Sequence, residues 1–254
     1  MPPTDPAALP AFETDLFVPR YRPLVRGAWE LRVGAMTLVP GYWSGTVLAR
    51  GMAALLRDGA SWMSMTPFEI ESQEIGVRLA RGHVLVFGLG LGWSALASAL
   101  RDEVEAVTVV ERDRDVIDLH RTLDLAAQLP PAARAKLSIL EGDAYDYRPG
   151  RPVDLLMPDI WLPLVNDGRV EEVRRMQANV GARGIYFWGQ EMEIARHAAA
   201  AGRGLDAAGI DATIEALGLP LIGADFPDYA GKIAHVARRW MQGRWLPGSA
   251  APAS

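Results

Sequence analysis

The sequence predicts an α/β protein with a doubly wound, mostly parallel sheet, preceded by a small N-terminal β unit. Three observations lead to this prediction. Beyond residue 82, short apolar segments alternate with helical segments, which is typical of βαβ units. The first apolar segment, Val84–Phe87, is a continuous run, as expected for a strand buried on both faces. It leads into Gly88, Gly90 and Gly92 and then into a predicted helix, a turn in which glycine permits positive φ.

The remaining elements of the α/β part follow from the same alternation. A helix is predicted from Pro67 to about Leu79, with Thr66 as N-cap and Glu69 completing a capping box. The strands predicted after it are His83–Phe87, Ala106–Glu111, Leu137–Glu141, Val153–Met157 and Gly184–Trp188. The helices predicted between and after these strands are Trp93–Arg101, Asp113–Leu125, Gly168–Val180 and Gln190–Ala208.

The N-terminal quarter has a different pattern. Residues 1–25 contain six prolines and are predicted to form an irregular arm. Residues 26–66 are predicted to form a small antiparallel β unit, because short apolar pieces alternate with turn residues. Those pieces are Trp29–Val39, Gly45–Arg50, Ala54–Leu56 and Ser61–Met65. We therefore predict an α/β domain over residues 67–246 and a flexible tail over residues 247–254.

Composition excludes several classes of function. The net charge is −5, and a basic stripe with interleaved aromatic residues is lacking, so we expect no nucleic-acid partner. The chain has no cysteine, which excludes disulfides and thiolate chemistry, and its four histidines are scattered, so no metal site is predicted. Neither a membrane-spanning run nor a signal peptide is recognisable, and a cytoplasmic location without membrane association is expected.

The turn after the first strand of the parallel sheet predicts a phosphate- or nucleoside-binding site. Gly88, Gly90 and Gly92 let a ligand touch bare backbone, and the following helix offers unpaired N–H groups at its start. Glu111 ends the next strand, which places a carboxylate beside the glycines for the two hydroxyls of a ribose. These features fit both a nicotinamide cofactor and S-adenosylmethionine.

Two further strand ends favour S-adenosylmethionine. Asp143 closes the third strand in a turn of small residues, where its carboxylate can accept the adenine amino proton and Ala144 leaves room for the ring. Asp159 follows the fourth strand, at the edge where the carboxyl ends of all the strands converge. The competing interpretation of Glu111 is a surface charge at a strand end, and that of Asp143 is a Gly-Asp turn without a ligand.

With four consecutive strand ends carrying these groups in order, residues 81–188 resemble the class I S-adenosylmethionine-dependent methyltransferases. The resemblance implies a Rossmann-like fold, S-adenosylmethionine as cofactor, and a set of cofactor contacts. Those contacts are Gly88, Leu89, Gly90, Gly92, Glu111, Arg112, Asp143, Ala144 and Asp159.

A narrower resemblance extends upstream, to spermidine synthase-like proteins. It rests on the β unit leading into a helix that carries Gln73 and Glu74, with Ser72 where that family has tyrosine, and on the spacing of Asp154 and Asp159. Two family carboxylates that hold the polyamine are replaced here, by Leu91 and by Leu162. A polycation needs several carboxylates to offset its desolvation, so polyamine synthesis is not expected.

The predicted function is therefore methyl transfer from S-adenosylmethionine to a small-molecule acceptor. Asp159 is the candidate general base, a ligand for a substrate amine, or a cofactor contact. Glu69, Gln73, Glu74 and Trp161 are candidate substrate residues, with helix surface and core packing as the competing interpretations. The alternatives are an aminopropyl-like transferase with an altered acceptor, a non-catalytic binding protein and, less favoured, a nicotinamide dehydrogenase. A homodimer formed through the arm and the β unit is also predicted as possible.

Overall fold

A computed structural model describes residues 10–247, so the predicted tail from residue 248 onward and the first nine residues lie outside the described part. The N-terminal unit is a four-stranded antiparallel sheet in the order β1-β2-β3-β4. Its strands are β1 Leu24–Arg26, β2 Trp29–Pro40, β3 Thr46–Arg57 and β4 Ala60–Met65. This confirms the antiparallel unit. The two pieces predicted on either side of Gly51 form one strand, because pairing with β2 continues at Arg50 and Met52 on both sides of Gly51, which has φ +64°.

The second sheet is parallel throughout and has the strand order β7-β6-β5-β8-β9. Its strands are β5 Gly82–Phe87, β6 Val104–Glu111, β7 Leu137–Glu141, β8 Leu155–Pro158 and β9 Gly184–Ile185. The chain runs from the central strand β5 outward to β7 and then returns to β8, which lies on the other side of β5. The order of the strands therefore reverses between β5 and β8, which is where ligands bind in open α/β sheets.

Helices flank this parallel sheet, as the sequence predicts. They are α1 Pro67–Arg78, α2 Trp93–Ala99, α3 Arg114–Leu123, α4 Pro131–Arg134, α5 Arg169–Val180, α6 Gln190–Ala200, α7 Ala207–Leu217 and α8 Tyr229–Trp240. Because parallel crossovers are right-handed, connections that run to opposite sides of β5 place their helices on opposite faces of the sheet. The sheet is thus doubly wound. Within residues 10–247, no helix is both long and apolar enough to cross a bilayer.

Two local predictions were wrong, and two helices were not predicted. The helix predicted to reach Ala208 ends at Ala200, because Gly202 turns the chain at φ +65° and Asp206 caps α7 by accepting from Gly209 N at 2.8 Å. The last strand is two residues long, although backbone hydrogen bonds to β8 continue as far as Trp188. The helices α7 and α8 were not predicted.

The predicted capping box before α1 was also wrong. Thr66 is the N-cap and Pro67 the first helical residue, but the Thr66 hydroxyl makes no capping bond and lies 3.3 Å from the Ser64 hydroxyl. Glu69 does not reach back to Thr66, since its carboxylate accepts a hydrogen bond from Gln73. Glu69 therefore contacts Gln73 and does not cap the helix.

The described part of the arm lies against its own chain. Ala11 forms a parallel bridge with Leu48 of β3. Further along, the arm crosses the side of the domain formed by α2 and α3. There the backbone N–H of Arg20 donates to the side-chain oxygen of Gln128, and the side-chain amide of Gln128 donates to the carbonyl of Arg20, each at 2.9 Å. The Tyr21 hydroxyl donates to the carbonyl of Leu91 at 3.0 Å. The arm therefore braces the glycine turn at Leu91, and the homodimer stays a prediction.

Candidate active site

A cavity of about 420 Å³ lies at the carboxyl edge of the parallel strands. Residues after β5, β6, β7 and β8 form its floor, and the N-terminal sheet covers it. Phe87 pairs with Pro158 in the sheet register, so the residues that follow these strands, Gly88 and Asp159, lie side by side. The cavity thus occupies the position predicted from the strand ends, at the point where strand order reverses.

The glycine turn leaves the floor of the cavity without side chains. Gly88 has φ +91° and Gly90 has φ +47°, and both line the cavity. A β-carbon at Gly88 would overlap the backbone carbonyl of Asp159, and one at Gly90 would overlap the sulfur of Met63. Backbone conformation therefore favours glycine at both positions, and the carbonyl of Asp159 leaves no room for a β-carbon at Gly88.

Leu89 and Gly92 support the turn from behind. They border a second cavity of about 270 Å³ on the α3 side, together with His120. The His120 ring nitrogen Nε2 lies 2.8 Å from the carbonyl of Gly90, and burial lowers the pKa of His120 to about 4. The neutral imidazole therefore donates Nε2–H to that carbonyl and fixes the turn. The sequence, in which His120 follows the turn by many residues, gave no sign of this contact.

Glu111 connects the glycine turn to the start of α3. One carboxylate oxygen accepts from Leu89 N at 2.9 Å and the other from Asp113 N at 2.8 Å. Each oxygen keeps a further lone pair for a ligand hydroxyl. Glu111 lies beside the glycines as predicted, and the exposed Arg112 follows it on the cavity wall.

Asp143, Ala144 and Tyr145 form the cavity wall beyond β7. The Asp143 carboxylate accepts from Tyr145 N at 2.8 Å, which closes a tight turn around Ala144. Ala144 is buried and Asp143 is exposed. The turn presents one carboxylate next to a small side chain, which is the arrangement that the sequence predicts for binding a planar base.

The side-chain amide of Gln73 bridges the carboxylates of Glu69 and Asp159. Gln73 Nε2 lies 2.5 Å from Glu69 Oε1 and 3.1 Å from Asp159 Oδ2, so its two hydrogens serve two carboxylates. Burial raises the pKa of Asp159 to about 7. Burial, followed by the nearby charge of Asp159, raises the pKa of Glu69 well above its ordinary value. Both shifts favour the neutral carboxyl groups, so ionisation of the two together is disfavoured near neutral pH.

Trp161 lines the cavity, and Arg169 holds it in place. The Arg169 guanidinium stacks 3.9 Å from the Trp161 ring centroid, and the Trp161 N–H donates to Glu172 at 2.6 Å. Arg169 is 1% exposed and also donates to backbone carbonyls of the loop after β8 and of Trp188. Sequence reasoning missed Arg169, since a lone arginine at a helix start carries no local signal of burial.

Glu74 is not brought to the cavity. Its carboxylate accepts from Trp43 Nε1 at 2.9 Å and lies 3.4 Å from Arg78 Nε. Successive helical residues point about 100° apart, so Gln73 and Glu74 face different surroundings. We therefore leave Glu74 out of the proposed substrate site.

The cover of the cavity was not predicted. We call Trp29, Arg57, Trp62 and Met63 the roof, because all four line the cavity from the N-terminal sheet. Trp29 and Trp62 meet edge to face with their ring centroids 5.5 Å apart, and Arg57 lies over both rings. Trp29 Nε1 donates to Asp113 at 3.0 Å, which ties the roof to the start of α3.

The charge of the cavity lining favours a cationic ligand. Among the described residues of the lining there are five carboxylates and two guanidinium groups: Glu69, Glu111, Asp113, Asp143, Asp159, Arg57 and Arg112. Aromatic rings complete the walls, and their faces attract cations as well. A sulfonium or an ammonium group matches this lining better than an anion does.

The doubly wound sheet, the glycine turn and the cavity at the strand reversal define a Rossmann-like α/β fold. No family model matches the chain. No curated protein matches it either.

Solved structures resemble parts of the chain. A glycopeptide N-methyltransferase, MtfA, in complex with S-adenosylhomocysteine is 19% identical over 43% of this chain and 41% of its own, with a TM-score of 0.33. The methyltransferase domain of a bacterial CtHen1 protein is 16% identical over 46% and 65%, at TM-score 0.36. A putative RNA methyltransferase of Pyrococcus horikoshii is 17% identical over 48% and 60%, at TM-score 0.36. This chain spans less than two thirds of the length of each of these proteins.

Proposed function

We propose that this protein is an S-adenosylmethionine-dependent methyltransferase that acts on a small-molecule acceptor. The observation that carries the proposal is the carboxylate of Glu111, which is hydrogen-bonded to the glycine turn and borders a cavity lined by Asp143 and Asp159. The ends of four parallel strands thus supply the groups for a ribose, an adenine and an aminoacyl sulfonium at one place.

The residues present fit this cofactor. Gly88 and Gly90 leave a cradle that a β-carbon would fill, and the excess of carboxylates suits a sulfonium. A volume of about 420 Å³ falls in the range of small-molecule sites. Glu111 would accept from the ribose hydroxyls, Asp143 would accept from the adenine amino group, and Ala144 would leave space for the ring. Asp159 and Trp161 then border the reacting end.

When bound, S-adenosylmethionine supplies a methyl group already activated by positively charged sulfur. Methyl transfer then depends chiefly on an acceptor nucleophile held in line at near-contact distance. The chain contributes the enclosed cavity, the rings that position an acceptor, and Asp159 as a base for the acceptor proton. The pKa of about 7 suits Asp159 to that task at neutral pH.

Polyamine synthesis is less well supported by the same geometry. At the two positions where the related synthases carry carboxylates, Leu91 is 0% exposed and Leu162 is 52% exposed. A buried leucine gives no charge to hold an aminopropyl ammonium. An aminopropyl-like transfer to another acceptor remains the second candidate, because the cavity still favours cations.

Calorimetric titration tests the proposal. We expect S-adenosylmethionine and S-adenosylhomocysteine to bind more tightly than decarboxylated S-adenosylmethionine or NADH. Preference for the decarboxylated form would favour aminopropyl transfer, and preference for NADH would favour a dehydrogenase. Binding of none of the four would contradict a nucleoside-dependent enzyme.

Glu111→Ala is expected to weaken S-adenosylhomocysteine binding at least tenfold. The substitution removes the acceptor for both ribose hydroxyls and releases Leu89 N from the glycine turn. Loss of hydrogen bonds to a charged group costs about 1.5–3 kcal/mol each, which corresponds to tenfold or more. Glu141→Ala is the matched control, since Glu141 ends the neighbouring strand β7 in an exposed position. Equal affinity of the two variants would contradict the role of Glu111.

Gly90→Ala is expected to lower the free energy of unfolding by about 1–2 kcal/mol through its positive φ. It should also weaken S-adenosylhomocysteine binding about tenfold, because the added methyl group displaces Met63 into the cavity. Gly181→Ala separates the two effects, since Gly181 has φ +62° with nothing within 4 Å of the added carbon. Thermal unfolding and calorimetry should find similar destabilisation in both variants but weaker binding only in Gly90→Ala.

A further inference from the structure

We propose that the second cavity, behind the glycine turn, binds a small monocarboxylate with an apolar body. The apolar body lies inside the cavity, and the carboxylate is held at its mouth by Arg121 and Arg134. Occupation of this site strengthens cofactor binding on the other side of the turn. The carboxylate site stands on its own geometry, and only its coupling to the cofactor rests on the proposed function.

The cavity, of about 270 Å³, lies beside the end of α3. Asp124 ends that helix in the left-handed conformation, at φ 45°, and a single 3₁₀ turn, Leu125–Gln128, and the four-residue helix α4 follow. Leu137 and Ile139 are two residues apart on β7, and Ile139 pairs with Val109, so these three side chains share the sheet face beneath. The short turns leave the space above this face unfilled.

The interior of the cavity is apolar. Its apolar lining comes from the glycine turn, α2, the 3₁₀ turn, β6 and β7: Leu89, Ala95, Leu96, Val109, Leu125, Ala126, Leu137 and Ile139. Ile139 is 39% exposed and becomes more buried when an apolar ligand occupies the space beside it, which favours binding. The volume lies just below the roughly 300–1,000 Å³ of sites for drug-sized ligands. A short alkyl chain or a single ring therefore suits it.

The charged groups of the lining favour an anion. Among the described residues that border the cavity are two guanidinium groups, Arg121 and Arg134, and one carboxylate, Asp124. His120 is neutral, because burial lowers its pKa to about 4. The net charge is therefore positive, whereas the lining of the first cavity has five carboxylates and two guanidinium groups. The two cavities thus attract ligands of opposite charge.

Both guanidinium groups are available to a ligand. Arg121 pairs with Asp118 at 2.9 Å and Arg134 with Asp124 at 3.5 Å, and the two arginine side chains are 66% and 54% exposed. Exposed ion pairs of this kind contribute little to stability, so either side chain can turn toward a ligand at small cost. A guanidinium has five N–H donors and can hold a carboxylate through two of them.

The cavity shares residues with the glycine turn. Leu89 and Gly92 line it, and Leu89 N donates to Glu111, the carboxylate assigned to the ribose. The ring of His120 also lines it and donates to the carbonyl of Gly90. A ligand packed against Leu89 and His120 restricts their movement and holds the turn in one conformation, so the cofactor loses less entropy when it binds. By reciprocity, the cofactor strengthens carboxylate binding by the same factor.

Calorimetry on the full protein at pH 7.5 tests the site. The probes are hexanoate and benzoate, and the comparisons are hexanol, benzyl alcohol and hexylamine. We expect at least one carboxylate to bind about tenfold or more tightly than its alcohol, because hydrogen bonds to a charged group are stronger than those to a hydroxyl. Hexylamine should not displace it. Unchanged affinity of carboxylate and alcohol, or binding of none of the probes, would overturn the proposal.

Variants locate the ligand. The double variant Arg121→Gln/Arg134→Gln should remove the preference for the carboxylate. Ala126→Leu fills the apolar interior and should weaken binding of the carboxylate and the alcohol alike. Arg114→Gln is the matched control and should bind as the unmodified protein does, because Arg114 lies on the same helix, is 73% exposed and pairs with Glu141 away from the cavity. A preference that survives in the double variant, or that is lost equally in Arg114→Gln, would contradict the site.

The outcomes also separate the site from the proposed function. With the preferred carboxylate bound, S-adenosylhomocysteine should bind about fivefold or more tightly than without it. An unchanged affinity would overturn the coupling. A protein that does not bind S-adenosylhomocysteine at all contradicts the proposed function and the coupling with it, while the carboxylate titration still decides the site. Thermal unfolding confirms that each variant is folded, and the carboxylate should raise the melting temperature of the unmodified protein but not of the double variant.

Discussion

Replacing Asp159 by asparagine is expected to lower methyl transfer by about 10²–10⁴-fold, the usual contribution of a positioned general base. Asparagine keeps the shape of the side chain and its contact with Gln73 but cannot take the acceptor proton. The rate is measured as S-adenosylhomocysteine formed with the best acceptor found by screening. S-adenosylhomocysteine binding is measured in parallel by calorimetry, so that a loss of cofactor affinity is distinguished from the loss of the base. An unchanged rate and pH profile would reduce Asp159 to a positional role.

The same substitution is expected to stabilise the folded protein at pH 8, by about 1–2 kcal/mol after allowance for screening. Burial raises the pKa of Asp159 from 3.8 to about 7, so the folded state disfavours the charged carboxylate. Below pH 4 the group is protonated in both states and costs nothing. The cost develops as pH rises from about 4 to about 7 and is then constant, which is why the variant gains most at pH 8.

A control with the opposite sign lies at the other end of β8. The pKa of Asp154 is lowered, first by the hydrogen bond from His83 N and further by Arg183, so its charge stabilises the folded state. Asp154→Asn should therefore destabilise the protein at pH 8, and the difference should shrink as pH falls through the ordinary range of aspartate. Melting temperatures at pH 3 and pH 8 distinguish the two. A loss of stability in both variants would contradict the raised pKa of Asp159.

Arg169→Met is expected to destabilise the protein by about 3–5 kcal/mol, which for a chain of this size is roughly 10 °C in melting temperature. The guanidinium is buried, and burial lowers its pKa to about 10, so it is still charged at neutral pH. Its loss leaves the carbonyls of Pro163, Leu164 and Trp188 without a donor. The carboxylates of Glu193 and Glu172 lose a nearby positive charge at the same time.

Arg175→Met provides the comparison for Arg169→Met. Arg175 lies on the same helix α5 and pairs with Asp146 at 3.2 Å, but both side chains are exposed. Such a pair is expected to contribute less than about 1 kcal/mol. If the two variants melted at the same temperature, burial of Arg169 would not be what holds the loop after β8.

The floor of the site was predictable from the sequence because parallel sheets obey a simple rule. Once the alternation of strands and helices is recognised, residues that follow the strands must meet at one edge, and Gly88, Glu111, Asp143 and Asp159 do so. Their roles in binding stay predictions. The helical period also predicts which side chains of α1 lie together. Glu69 and Gln73 are four residues apart and share a face of the helix, whereas Glu74 lies on a different face.

The roof, and the contacts that Arg169 makes with the loop after β8, were not predictable in the same way. Trp29 and Trp62 reach the cavity only because the antiparallel sheet packs over the parallel one, and no local pattern specifies how two such units meet. Arg169 has its partners spread over the loop after β8 and the residues after β9. The helices α7 and α8 pack against α6 rather than continuing the sheet, so the strand–helix alternation gave no reason to expect them.

The contacts of the arm set an order of events during synthesis of the chain. Arg20 leaves the ribosome 108 residues before Gln128, with which it exchanges two hydrogen bonds. At translation rates of about 5–20 residues per second, that interval is roughly 5–20 s. The antiparallel strands can pair meanwhile, since their partners are close in sequence. The arm closes over the α2–α3 side only afterwards, so a nascent chain interrupted before residue 128 exposes both the arm and the back of the glycine turn.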